Sequence, residues 1–305
     1  MGDYSRWVST SWVRKDISWK DCGPVVAGID VGTTSTQAAI LCGGELFGYA
    51  NIHTGIDFEK AAHDAITLAL ESSGITISDI VTIAGTGFGK KNIKFANKTF
   101  DEVQSHAKGA RFIFGPEVRT VVDMGGQTVK AIRLFEWDRV RDFMINDKCA
   151  TGLGRSIEVL CDMLHIGITE IGPKSLEAEK DPEPVSTTCW AFAGTETLGL
   201  FGRPEYRSEK LSEEEIYASH LFAIAWRITG VIGRLSPLDV GEIQVDGGLA
   251  FTGGLAKNPG ITYRIERDLG VTAAKAKQTA NGDNIDPMLA GAIGAALFAY
   301  DRRSE

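Results

Sequence analysis

The sequence predicts an α/β protein built from two related lobes, and three observations carry that expectation. First, an apolar run ending in Asp and Gly, Val26-Ala27-Gly28-Ile29-Asp30-Val31-Gly32-Thr33-Thr34, is echoed ninety-three residues later, Asp to Asp, by Val121-Val122-Asp123-Met124-Gly125-Gly126-Gln127. Second, each run is followed by two more β-like runs. These are Ala38–Leu41 and Leu46–Ala50 in the first half, and Val129–Leu134 and Val140–Ile145 in the second, separated by the turns Gly43-Gly44 and Glu136-Trp137-Asp138. Third, a helical period follows each triplet, over Asp57–Ser73 and over roughly Gly154–Ile166. Strand, strand, strand, helix is thus written twice.

The expected boundaries are an N-terminal extension over 1–22, a first lobe over 23–115 and a second lobe over 116–305, whose last helix returns toward the first. The extension holds Trp7, Trp12 and Trp19, half of the six tryptophans. It either packs on its own lobe or forms a partner-facing arm, since amphipathic aromatics favour interfaces. Farther along, the three prolines and several charges of Gly172–Pro184 predict an exposed loop. Ser212 and Glu215 form a capping box that opens a long helix through about Leu235. Its apolar positions include Ile216, Ile224, Ile228 and Val231. Leu249–Gly254 reads as a strand ending in a tight glycine turn, and the alanine-rich Met288–Tyr300 as a helix able to pack closely on a neighbour.

Composition narrows the function classes. Apolar content of 43% and charged content of 24% are those of a globular protein. A net charge of −8, with no basic stripe, argues against a nucleic-acid surface. No run approaches eighteen uninterrupted apolar residues, which argues against a membrane partner, and the tryptophan-rich N-terminus lacks the order of a signal peptide. With five cysteines, an odd number, a disulfide framework is not expected, so the chain reads as cytoplasmic with reduced thiols.

The paired strand ends carry the first chemistry. An Asp at a strand end, followed by Gly and small hydroxyl residues, suits magnesium-nucleotide binding. The carboxylate holds Mg²⁺ through waters, because this ion dehydrates reluctantly. Glycines let the hairpin approach phosphate oxygens, and successive N–H groups form an anion-binding concavity to which the hydroxyls of Thr33, Thr34 and Ser35 add donors. Gly32, Gly125 and Gly126 complete the cradle, with Gly253-Gly254 as a third glycine turn. Gly85-Thr86-Gly87-Phe88-Gly89-Lys90 is not a P-loop: Ala84 stands where the first Gly belongs, and Lys91 where Ser or Thr is needed. It reads instead as a turn closing the strand Ile80–Ala84.

The second chemistry is sulfur. Cys149 precedes Ala150-Thr151-Gly152-Leu153-Gly154 and a helical pattern, and Cys189 leads into Trp190–Leu200. Both are open to two readings: buried small apolar residues, or thiolates favoured by helix N-termini and by free N–H donors to sulfur. Two thiolates cannot complete an iron–sulfur cubane, which needs four, so a cluster would be shared with a second, similar chain. Cys22, Cys42 and Cys161 are expected to be structural.

Gly28–Gln37, Asp123–Gln127 and Thr252–Asn258 resemble the two phosphate motifs and the adenosine motif of the acetate kinase, sugar kinase, heat-shock ATPase and actin superfamily. Asn146–Arg155 and Ser186–Cys189 resemble one branch of it, the activators of 2-hydroxyacyl-CoA dehydratases and the ATPase subunits of benzoyl-CoA reductase. The resemblance runs from about Val25 to Tyr300. It implies two ribonuclease-H-like (actin-like ATPase) lobes with a nucleotide cleft between them, and a [4Fe-4S] cluster held by Cys149 and Cys189 from each of two subunits. It implies that Asp30 and Asp123 bind Mg²⁺ and orient the attacking water, and that Gln127 positions that water or senses the γ-phosphate. Gly253, Gly254 and Asn258 would sit near the adenosine. Gln37 stands where such activators usually carry Lys, and Thr128 where they tend to have Asp. The leading expectation is an ATP-hydrolysing electron-transfer subunit of an ATP-dependent benzoyl-CoA reductase. It would pair with a paralogous ATPase subunit as a heterodimer, take electrons from a ferredoxin-type donor and dock on catalytic acyl-CoA reductase subunits. The alternatives are a homodimeric dehydratase activator, a small-molecule kinase and a non-hydrolysing scaffold.

Overall fold

In the computed structural model, which describes residues 7–136, 139–146, 152–202, 211–235, 245 and 247–302, the two strand triplets become the centres of two sheets. The first sheet contains β1 (Thr10–Val13), β2 (Val25–Val31), β3 (Ser35–Cys42), β4 (Glu45–His53), β5 (Ile80–Thr86) and β6 (Lys98–Thr99), in the order β1-β4-β3-β2-β5-β6. The second contains β7 (Val118–Met124), β8 (Val129–Leu134), β9 (Val140–Ile145) and β10 (Gly248–Thr252), in the order β10-β7-β8-β9. In both, three consecutive strands form an antiparallel meander, and a later strand adds in parallel to the first of them, β5 to β2 and β10 to β7. The sequence echo is therefore a duplicated topology. Asp30 and Asp123 are each the penultimate residue of the strand shared by meander and crossover.

Eight helices cover the sheets among the described residues: α1 (Phe58–Leu70), α2 (Glu102–Phe114), α3 (Leu153–Leu164), α4 (Ile171–Ser175), α5 (Trp190–Gly202), α6 (Glu213–Gly233), α7 (Pro259–Leu269) and α8 (Ala290–Asp301). All seven residues of β2 are buried, because helices cover both faces of its sheet. Val25, Ala27, Ile29 and Val31 pack in one core with Ala62, Ala65, Ile66 and Ala69 of α1. On the other face, Val26, Ala39 and Leu41 pack with Ile113 of α2 and Ala292, Ile293 and Ala296 of α8. Thus α8, last in the chain, belongs by packing to the first sheet, where it contacts β2, β3 and β5. Small residues make this possible. A Cβ on Gly109 would overlap the Ala290 carbonyl, and one on Gly294 the Ser105 carbonyl, so α2 and α8 cross backbone to backbone. Their contact sets the height at which α2 presents its polar face to the space between the sheets.

The expected capping box is present: Ser212 Oγ accepts from the Glu215 N–H while Glu215 accepts from the Ser212 N–H. Among the described residues α6 alone is long and apolar enough to cross a membrane, but 72% of that stretch is buried inside the fold, as befits a core helix.

Two expectations need correcting, and one open alternative is narrowed. Part of the presumed loop Gly172–Pro184 is helical: α4 begins at Ile171 with Pro173 in its first turn, where a missing N–H costs nothing, and buried Ile171 anchors it. Of the two readings of the extension, β1 follows the one that packs on the first lobe. The strand pairs antiparallel with β4, Thr10 opposite Asn51 and Val13 opposite Gly48, and Trp12 stacks on Tyr49 at 5.9 Å. Finally, Cys22 and Cys42 form a disulfide with their Cα atoms 5.7 Å apart, against the expectation of reduced thiols. Composition counts cysteines but does not see neighbours: β2–β3 pairing sets Val25 opposite Cys42, and the close approach of Gly23 to Gly43 brings Cys22 alongside. Cys161 is buried as expected, and that burial pushes its thiol up to about 12.

Candidate functional site

The two sheets meet at a cleft of about 340 Å³. Asp30, Gly32, Thr33, Thr34 and Ser35 line it from one side, and Asp123, Gly125, Gly126, Gln127, Gly253 and Gly254 from the other. The two Asp-Gly hairpins close in the same way: the Gly32 N–H donates to the Ser35 carbonyl at 3.0 Å, and the Gly125 N–H to the Thr128 carbonyl at 2.9 Å. They also touch. A Cβ on Gly126 would lie 2.6 Å from the Thr34 methyl carbon, so glycine is required where the hairpins face each other. The third glycine turn presses on the same point. Gly253 adopts φ 82°, and a Cβ there would lie 2.8 Å from Asp123 Oδ1.

A buried ionic network joins the lobes behind the hairpins. His106 on α2 stands between the two aspartates, its Nε2 3.3 Å from Asp30 Oδ2 and its Nδ1 3.4 Å from Asp123 Oδ1. Thr252 at the end of β10 donates its hydroxyl to Asp123 Oδ1 at 3.4 Å. Lys130 on β8 donates to Asp123 Oδ2 and Glu102 Oε1, both at 2.7 Å, and to Thr128 Oγ1 at 3.2 Å. Burial alone would push the His106 imidazole down, but the Asp123 and Asp30 carboxylates outweigh it and leave its pKa raised. For Asp123, burial would raise the carboxyl, and the His106 and Lys130 charges outweigh that, so it stays ionised below the ordinary carboxylate range. Lys130 is the mirror case: burial works against its charge, and Asp123 and Glu102 hold it well above the usual lysine value.

The donor set facing the cleft is hard oxygen, from carboxylates and hydroxyls, and so fits Mg²⁺ held partly through water. Ligand atoms of Glu102, His106 and Asp123 lie within 4.8 Å of one another, but the Lys130 ammonium already bridges Glu102 and Asp123, so that trio is compensated by a side chain.

Of the residues expected at the site, the structure brings together both aspartates, both hairpins, Gln127 and the Gly253-Gly254 turn. Asn258 does not line the cleft. It is buried as the N-cap of α7, where its Oδ1 accepts from the Ile261 N–H at 3.2 Å. Cys189 is half-buried with a free thiol, and its carbonyl accepts the Ala193 N–H, which sets it at the mouth of α5 as expected. Cys149 lies outside the described residues, which resume at Gly152. Arg155, at the start of α3, donates its N–H to the Gly126 carbonyl at 3.0 Å, and Gly154 lies against Gly125. The helix after Cys149 is thus bonded directly to the second hairpin.

Sequence reasoning missed His106, Lys130, Glu102 and Trp7. A signal existed for the first: His106 is a polar position among the buried residues of amphipathic α2. For Lys130 it was the cross-strand register, which sets it opposite Asp123.

The chain is similar to several known proteins. A profile of the BadF/BadG/BcrA/BcrD ATPase family matches residues 27–299. The activator of lactoyl-CoA dehydratase from Anaerotignum propionicum is 33% identical over 274 residues, covering 90% of this chain and 96% of that one. A benzoyl-CoA reductase subunit from Thauera aromatica is 30% identical over 286 residues, covering 92% and 95%. Among solved structures, the activator of 2-hydroxyisocaproyl-CoA dehydratase from Clostridium difficile with bound ADPNP superposes with a TM-score of 0.77 at 28% identity, over 92% of this chain and 96% of that one.

Proposed function

The chain belongs to the BadF/BadG/BcrA/BcrD ATPase family, and on that premise we propose that it is the ATP-hydrolysing activator of a 2-hydroxyacyl-CoA dehydratase, passing electrons to that enzyme from a cluster shared between two copies. The activator is preferred to the expected benzoyl-CoA reductase subunit because activator relatives match in sequence and in solved structure alike. The small-molecule kinase is not preferred because nothing in that reading uses Cys149 or Cys189.

Each residue then has a task. Asp30 and Asp123 would hold Mg²⁺, which when bound neutralises phosphate oxygens. The hairpin amides of Gly32, Gly125 and Gly126 and the hydroxyls of Thr33, Thr34 and Ser35 cradle the phosphates, and Gln127 orients a water toward the γ-phosphoryl group. Phosphoryl transfer is mostly positioning and charge stabilisation, so this set suffices. His106 and Lys130 keep Asp123 ionised. Cys149 and Cys189 would give two of four thiolates to a [4Fe-4S] cluster, which supplies one-electron transfer at low potential, and the partner subunit would supply the other two. The observation that carries the reading is the Arg155 N–H to Gly126 O bond, because it ties the helix after Cys149 to the phosphate cradle. A change at the hairpin moves that helix.

The test is a pair of variants purified without oxygen. Cys189→Ala should lose its iron while still binding MgATP, and Asp123→Asn should keep its iron while ATP turnover falls on the order of a hundredfold. Iron retained at wild-type stoichiometry in the first, or undiminished turnover in the second, refutes the assignment.

A further inference from the structure

The matched family profile begins at residue 27, yet the segment before it reaches the cleft. Pairing of β1 with β4 carries the chain past Asn51 toward Ile52 and His53 at the rim, and three residues before β1 the Trp7 side chain crosses to the other lobe. Its indole Nε1 and Cδ1 lie 3.5 and 3.8 Å from the position a Cβ would take on Gly254. The Lys257 ammonium stands 4.7 Å from the ring centroid and is itself held by Asp286 at 2.6 Å. Trp7 also packs against the apolar core of the second lobe, while β1 and the Cys22–Cys42 disulfide hold the extension on the first.

We infer that Trp7 is the stacking wall for the base of the bound nucleotide, making the N-terminal extension part of the nucleotide site and Trp7 a specificity-determining residue. This rests on the nucleotide reading above. The amide- and hydroxyl-rich hairpins take the phosphates, so the base must lie away from them. Among the described residues two indole or phenyl rings line the cleft, Trp7 and Phe88. Phe88 belongs to the turn after β5 and packs edge-on against Phe58, whereas Trp7 is at the open Gly254 turn. A flat indole that lines the cleft beside a cation is placed to stack on a π-system, and bases stack on such rings whatever their hydrogen-bonding edge. Trp7 therefore senses whether a base is present, not which phosphate state it carries.

The experiment is equilibrium binding of MgATP and of magnesium tripolyphosphate to the full chain as wild type, Trp7→Ala and Trp7→Phe. Trp7→Ala should weaken MgATP binding about five- to hundredfold, as expected for loss of one base–aromatic stack. Trp7→Phe should retain most of the affinity, and tripolyphosphate should bind all three alike. MgATP binding by Trp7→Ala that is unchanged, or tighter, overturns the inference; a tighter complex means that the indole itself fills the base position. A parallel loss of tripolyphosphate binding overturns it too, by showing damage to the whole cleft. If wild type binds neither ligand, the nucleotide reading itself falls, an outcome distinct from the failure of Trp7 alone.

Discussion

Replacing Lys130 by Met tests the ionic network directly. The Lys130 side chain is 4% exposed and that of Asp123 3%, so their 2.7 Å bond is a buried ion pair. Glu102, the second partner, is 32% exposed and contributes less. Removing one member of a buried pair leaves an uncompensated charge and costs about 3–5 kcal/mol. Because His106 and Thr252 still face Asp123 Oδ1, the cost of Lys130→Met should fall near the lower end, about 3 kcal/mol. Asp123→Asn should cost less, about 2 kcal/mol, since Lys130 keeps Glu102. The double variant should be more stable than the sum of the two, with a coupling of at least about 1.5 kcal/mol. Neutral pH is the right condition. The depressed carboxyl of Asp123 stabilises the fold above its unfolded pKa near 3.9, and the raised ammonium of Lys130 does so below its unfolded value near 10.4. Both contributions are thus fully present at pH 7 and are lost only in acid and in strong alkali respectively. The assay is urea unfolding of the full chain and the three variants. A Lys130→Met protein within about 1 kcal/mol of wild type, or a coupling below about 0.5 kcal/mol, would show that the pair is not a buried one in solution.

Two further outcomes follow from other buried groups. His220 on α6 is fully buried, which pushes its imidazole down to about 4. Thr197 donates its hydroxyl to the Ala193 carbonyl and so accepts from His220 Nδ1, leaving Nε2 without a partner for a second proton. A folded pKa below the unfolded value near 6.5 means stability is lost as pH falls between the two, so acidification from pH 7 to 4.5 should cost wild type about 2–3 kcal/mol more than His220→Gln. Parallel pH–stability curves for the two proteins would contradict this. At the α2–α8 crossing, Gly294→Ala should destabilise by about 1–3 kcal/mol because its Cβ meets the Ser105 carbonyl, whereas Gly230→Ala on the exposed face of α6, with nothing within 4 Å, should stabilise by up to about 1 kcal/mol. Thermal melts of equal midpoint for the two would show that the crossing has room to spare.

What could be read from the sequence was whatever the chain repeats locally. The two Asp-Gly runs, their following strands and the capping box at Ser212 are patterns within ten or so residues, where strand period and turn chemistry decide the outcome. Those signals gave the fold class and both hairpins of the site. Missed features depend on contacts between distant segments. Trp12 carried no mark of its pairing with β4, since a short edge strand in a charged segment has little periodicity to show. Cys22 and Cys42 carry no local mark of the strand register that joins them. Asn258 closes the motif that is expected near the adenosine, and it is also the N-cap whose side chain accepts from the Ile261 N–H.

The sheet register shows why the missed cations matter to the expected aspartates. Duplication places one carboxylate at the end of each lobe's first meander strand and so brings two negative charges to one buried seam. The position across from each is also duplicated: Asp123 pairs with Lys130, and Asp30 pairs with Gln37. In the second lobe that position supplies the neutralising charge. In the first it supplies an amide, whose Nε2 is spent on Asn51 Oδ1 at 2.7 Å and Ser35 Oγ at 2.8 Å. Compensation for Asp30 must therefore come from outside its own lobe's meander, and His106 provides it from α2 while also reaching Asp123. One imidazole shared by the two halves of a duplication makes the seam asymmetric. The Asp123 side is fixed by a lysine within its own sheet, and the Asp30 side is held through a helix that the α8 crossing locks in place. The links that α2 makes to the second lobe, His106 Nδ1 to Asp123 and Glu102 to Lys130, both cross the seam, so relative motion of the lobes strains these two together while the His106–Asp30 contact stays within the first lobe.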